Sequence, residues 1–133
     1  MKIGVPKEIK LQENRIGLTP ESVESLVSNG HEVLVENNSG YEAGFENDQY
    51  KSAGAKIVDK AEDIFNDAEI IVKVKEPLSN EVKMIRENQI VFTYLHLAAA
   101  KELTEELIKS KSICIAYETV TDNNGRLPLL APM

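Results

Sequence analysis

The sequence predicts an α/β domain with a mostly parallel sheet and helices on both faces. Strand-like and helix-like segments alternate along all 133 residues, the pattern that produces parallel sheets with right-handed crossovers. Ile70, Ile71, Val72 and Val74 form a nearly unbroken β-branched run, as expected of a strand covered on both faces. Turn and cap residues separate these segments, and the length suits one compact domain.

In chain order, Lys2 to Val5 reads as a first strand stopped by Pro6. Lys7 to Gly17 is polar and irregular. Thr19 before Pro20 is an N-cap followed by proline at the first helical position. Val23, Leu26 and Val27 continue that helix as an apolar stripe, and Gly30 suits its C′ position. Glu32 to Glu36 is the second strand, and Asn37 to Gly44 is a loop rich in Gly and Asn. Asp48 to Ala53 forms a short helix ended by Gly54, Lys56 to Val58 a brief strand, and Ala61 to Phe65 another short helix. Glu69 to Lys75 is the central strand, ended by Pro77. Ser79 is expected to cap a helix carrying Val82, Met84 and Ile85. Ile90 to Leu95 is a buried-type strand, Lys101 to Lys109 an amphipathic helix, and Ser112 to Tyr117 a further strand. Asp122-Asn123-Asn124-Gly125 signals a turn. The apolar Leu127 to Met133 reads as a cut end rather than a frayed natural terminus. The class is flavodoxin/Rossmann-like, yet no G-x-G-x-x-G or Walker A spacing occurs, so a dinucleotide fingerprint is lacking.

Composition narrows the partners. A formal net charge of -7 and a pI of about 4.9 argue against nucleic acid and against an anionic membrane surface. Cys114 is the single cysteine and there are two histidines, so neither a disulfide nor a structural metal site is expected. No apolar run approaches the roughly 18 residues of a membrane helix, and Met1-Lys2 leads straight into a strand without a signal peptide. A cytoplasmic protein is the expectation.

Ligands of open parallel α/β sheets bind beyond the carboxyl ends of the strands. Arg15, Lys75, His96 and Glu118 each follow a predicted strand, so a parallel sheet brings them to one rim. Each also has a plain structural reading. Arg15 suits an exposed loop charge. Lys73 and Lys75 fall on one face by strand alternation, which is costly to bury without partners. His96 sits in an apolar stretch that suits a packed core histidine, and Glu118 suits a bond to a nearby helix N-terminus. His31 reads as a surface residue, and Cys114 as a packed thiol.

Several motifs together carry a resemblance. Met1-Lys2-Ile3-Gly4-Val5-Pro6-Lys7-Glu8, Glu13-Asn14-Arg15-Ile16 and Leu18-Thr19-Pro20 resemble the start of alanine dehydrogenases and transhydrogenase α chains. Val72-Lys73-Val74-Lys75-Glu76-Pro77, Phe92-Thr93-Tyr94-Leu95-His96-Leu97-Ala98-Ala99 and Ala116-Tyr117-Glu118-Thr119-Val120 favour alanine dehydrogenase, with His96 the discriminating residue. Leu127 to Met133 resembles the family's segment before its nucleotide domain. The resemblance implies that residues 1–133 form the N-terminal catalytic, substrate-binding domain and that the NAD-binding domain is absent from this chain.

Members of the family interconvert L-alanine, NAD and water with pyruvate, ammonium and NADH. The resemblance assigns Arg15 to the substrate carboxylate, through its planar fork. It assigns Lys75 to the substrate carboxylate or carbonyl oxygen, where negative charge develops. His96 becomes the general acid/base, since an imidazole exchanges protons near neutral pH. Tyr94 and Met133 line the pocket, with Glu118 a further candidate. NAD is then held mainly by the missing domain, the fragment alone is inactive, and the full-length protein is a homo-hexamer. Alternatives are a transhydrogenase α-chain-like domain, a saccharopine dehydrogenase-like domain, or a non-catalytic module that binds a small ligand.

Overall fold

A computed structural model describes residues 1–133. Six strands form one all-parallel sheet: β1 (Lys2–Val5), β2 (Glu32–Glu36), β3 (Lys56–Val58), β4 (Ile70–Val72), β5 (Ile90–Thr93) and β6 (Ile113–Ala116). Their spatial order is β3-β2-β1-β4-β5-β6, the doubly wound arrangement whose direction reverses between β1 and β4. Register runs from Lys2 opposite Glu32 on one side to Ile3 opposite Ile70 on the other.

Helices cover both faces, as the alternation predicts. On one face, α1 (Pro20–Ser28) and α2 (Asn47–Ser52) close a core of Ile3, Val5, Val23, Val33, Val35, Tyr50 and Val72. On the other, α3 (Ala61–Asp67), α4 (Ser79–Val82) and α5 (Lys101–Ser110) pack Ile64, Phe65, Val82 and Leu107 onto Leu34, Ile71 and Val91. A Cβ at Gly4 would lie 2.6 Å from Ile64 Cγ2 and 2.8 Å from Ala68 Cβ. Glycine there lets α3 sit directly on β1. Thr19 caps α1 by accepting the Ser22 N–H at 3.2 Å, and Gly30 follows with φ at 89°. The Asp122 turn forms as predicted, with its carboxylate accepting the N–H groups of Asn124 and Arg126.

Beyond α1, the first face is bare of helix over β4, β5 and β6. An apolar cleft of about 520 Å³ lies there, lined by Ile70, Val72, Phe92, Tyr117, Leu129 and Met133 among others. His31 also lines it, with a buried Nδ1 that finds no partner. The surface reading of His31 is therefore corrected: the turn after Gly30 folds the ring back beside Leu26 and Ile70. Cys114 is half-buried against the core, its thiol 3.4 Å from Ser112 Oγ.

Other boundaries shift for local reasons. The central strand stops at Val72 rather than Lys75. The Lys73 N–H still bonds Phe92 O, but those of Val74 and Lys75 turn to the carboxylate of Glu8. Ser79 does not cap α4: Leu78 holds that position, and Glu81 reaches back to its N–H at 3.0 Å.

Candidate active site

Because all strands run the same way, the loops after β1, β4, β5 and β6 meet at one rim. Glu8 lies at its centre, in the crevice between β1 and β4. Its carboxylate accepts the N–H of Val74 at 3.1 Å and of Lys75 at 3.0 Å, and pairs with the Lys73 ammonium at 3.2 Å. Glu81 takes the same ammonium from the other side at 3.2 Å. Lys73 is 1% exposed, so the buried charge that strand alternation leaves unpaired is here held by two carboxylates. Burial pushes the Glu8 carboxyl above its usual range, while Lys73 and the two N–H groups pull against that rise.

Lys75, one turn of chain later, stands clear of this cluster. Its Nζ lies 4.7 Å from the centre of the Tyr94 ring, a cation–π distance. The Tyr94 ring stacks on the His96 imidazole, 5.5 Å between centroids and 22° between planes. The Tyr94 hydroxyl is 2.8 Å from His96 Nδ1. Lys75, Tyr94 and His96 thus form one continuous contact series.

Arg15 lies outside this series and pairs with Glu13. The Arg15 Nε–H and one Nη2–H donate to the Glu13 carboxylate at 3.0 and 2.7 Å. That carboxyl is held below its usual range chiefly by these bonds, and the Lys75 charge lowers it further. Glu13 therefore stands within the fields of both cations. A guanidinium has five N–H donors, so the end-on pair remains available to a second carboxylate. The loop is fastened behind Arg15 at Gly17, where a Cβ would come within 2.6 Å of the Val72 carbonyl oxygen. Arg15 and Met133 share a cleft of about 310 Å³ with Val74, Phe45 and Tyr117. Lys75, Tyr94 and His96 do not line that cleft; Lys75 follows Val74, which does.

A family model described as the N-terminal domain of alanine dehydrogenase/PNT matches residues 4–133. The chain belongs to that family. It is 55% identical to an alanine dehydrogenase of Staphylococcus epidermidis over 133 residues, all of this chain and 36% of that protein. An alanine dehydrogenase of Halomonas elongata is 50% identical over the same span, again 36% of its length. A solved L-alanine dehydrogenase superposes with a TM-score of 0.96 at 53% identity, over 99% of this chain and 36% of that one. A transhydrogenase from Sinorhizobium meliloti gives 0.83 at 26% identity, over 89% of this chain and 35% of that one. The chain thus spans just over a third of the relatives it matches.

For an alanine dehydrogenase/PNT N-terminal domain, the rim explains a missing motif. Doubly wound sheets take a dinucleotide's pyrophosphate at the strand-order reversal, on a glycine-rich turn. Here that turn is Pro6-Lys7-Glu8, and the Glu8 carboxylate already occupies the N–H groups across the crevice. A second anion would meet a fixed negative charge, so these residues do not fit a dinucleotide.

Sequence reasoning passed over Glu8, Glu13 and Tyr117. Glu13 carried a usable signal, since a carboxylate two residues before an Arg on an irregular loop can fold back onto it. Tyr117 packs edge-on against Phe92, with centroids 4.3 Å apart, and burial pushes its phenol up to about 12. It is a neutral wall between the two clefts. No helix is long and apolar enough to cross a membrane.

Proposed function

We propose that this chain is the substrate-binding N-terminal domain of an L-alanine dehydrogenase. The full-length enzyme would interconvert L-alanine with pyruvate and ammonium using NAD. The observation that carries this reading is the contact series from Lys75 over Tyr94 to His96, with Arg15 on the loop after β1 at the same rim. Two cations and an imidazole at one rim are the groups that a small amino or keto acid would call for.

In this reading the end-on N–H pair of Arg15 binds the substrate carboxylate, a bidentate charge-assisted contact. The Lys75 ammonium, kept off the Glu8 cluster, faces the substrate oxygen and stabilises charge that builds there. The Tyr94 hydroxyl both donates and accepts, so it supports His96 Nδ1 in either tautomer and leaves Nε2 to move the proton. His96 takes a proton from the water that adds to the imine carbon and returns one to the departing ammonia. Met133 and Tyr94 line the space. NAD supplies the hydride acceptor and is held by the enzyme's own NAD-binding domain, outside residues 1–133. A homo-hexamer in the cytoplasm is the matching assembly and compartment, a single half-buried Cys114 being in keeping with a reducing one.

The test is NADH oxidation by the full-length protein with pyruvate and ammonium. Turnover that needs all three is expected. An enzyme indifferent to pyruvate and ammonium, but exchanging hydride between two nicotinamide nucleotides, would overturn the proposal in favour of a transhydrogenase.

A further inference from the structure

His96 adopts a left-handed backbone, φ 51° and ψ 42°, uncommon for a residue with a Cβ. No regular element enforces it. β5 has ended at Thr93, and the 3-10 turn over Leu97–Ala99 has not yet begun. Two things hold the peptide. The Leu95 side chain before it is 2% exposed, packed in the core. The Glu118 carboxylate, just past the end of β6, accepts the Leu95 N–H at 3.2 Å to each oxygen and the His96 N–H at 2.9 Å. It takes part in no other hydrogen bond or ion pair among the side chains around it.

We propose that Glu118 is a positioning residue for His96, a role that rests on His96 being the proton carrier. Its carboxylate holds two successive N–H groups on one side of the chain. Those bonds set the φ and ψ of Leu95, and so the peptide plane from which the His96 Cα and Cβ spring. With that peptide free to turn, the imidazole leaves the Tyr94 ring and its Nδ1 loses the hydroxyl at 2.8 Å. Glu8 does the same for Lys75, taking the N–H groups of Val74 and Lys75 from the neighbouring strand end. Each reacting side chain therefore springs from a peptide clamped by a carboxylate of the adjacent loop. The two clamps differ in separability: Glu8 is buried with Lys73, whereas Glu118 is half-buried and free of other duties.

The test uses the full-length protein with E118A and E118Q. Misplacing a proton carrier by about 1 Å costs roughly 10- to 100-fold in rate. E118A should lose that much in kcat, with KM for L-alanine and Tm nearly unchanged. E118Q retains one acceptor oxygen and should recover part of the loss. An unchanged kcat in E118A, or equal losses in both variants together with a lowered Tm, would overturn the assignment. Amide hydrogen exchange of wild-type protein provides a check that needs no variant and no turnover. The N–H groups of Leu95 and His96 should be protected, and exchange at the rate of open loop amides would also overturn it. A wild-type protein inert toward L-alanine would instead refute the functional reading, while the exchange result would still decide whether Glu118 holds the turn.

Discussion

Replacing Lys73 by Met probes the buried cluster most directly. The ammonium lies 3.2 Å from both Glu8 and Glu81, and all three side chains are at most 3% exposed. Removing one partner of a buried pair costs about 3–5 kcal/mol, because the other charge stays behind in a poor solvent. Both carboxylates keep backbone donors here: Val74 and Lys75 for Glu8, Leu78 for Glu81. The loss should thus fall near the lower end, about 3 kcal/mol. With a urea slope of about 2 kcal/mol per M, the unfolding midpoint drops by about 1.5 M. The pH dependence has a definite sign. Glu8 is already raised by burial and lowered by Lys73. A carboxyl raised in the folded state contributes stability that is complete below its unfolded pKa and is lost as pH rises through the folded one. Without Lys73 that rise grows, so the penalty is largest at neutral pH and shrinks as pH falls toward the ordinary carboxylate range. Urea melts at several pH values would show it. A penalty that is absent, or constant from neutral to mildly acid pH, would refute the reasoning.

Other substitutions test the site and its supports. In the full-length protein, His96→Ala should lower kcat by about 10²- to 10⁴-fold with an unchanged melting temperature; near-normal kcat would remove His96 from the chemistry. Gly17→Ala should push the Arg15 loop off the Val72 carbonyl and raise KM for alanine more than it lowers kcat, as steady-state kinetics would read. Gly4→Ala forces α3 away from β1 and should cost about 1–3 kcal/mol, visible in thermal melts. The 133-residue chain alone should give no NAD-dependent turnover with L-alanine, since its crevice holds Glu8 in place of a phosphate; NADH formation by the purified chain would contradict this.

Much of this molecule is legible in its residues. The β-branched runs locate β4 and β5, and Thr19-Pro20 with Gly30 brackets α1. The parallel rule alone foretells that Arg15, Lys75, His96 and Glu118 follow strand ends at a shared rim. Errors cluster where a side chain distant in sequence takes over a backbone group. Periodicity cannot see that Glu8, 66 residues away, will claim the Val74 N–H and end β4. Nor can it see that the Glu81 carboxylate turns back to Leu78 and makes that residue the cap. In the site, Lys75 and His96 are visible as residues, but their link through the Tyr94 ring depends on the β4–β5 register. The pairing of Arg15 with Glu13 is local in sequence, yet the field of Lys75 upon it arises only after folding.

The sheet order has a consequence for synthesis. β1 lies in the middle of the sheet but is made before the five strands that flank it. Its partner on one side, β2, begins at Glu32, and its partner on the other, β4, begins only at Ile70. At about 5–20 residues per second, Ile3 and Val5 wait roughly 3–14 s before β4 has been made to close their second edge. During that wait Glu8 has neither its ammonium nor the amides it will hold, so the anchor of the rim is made well before the groups that fix its place.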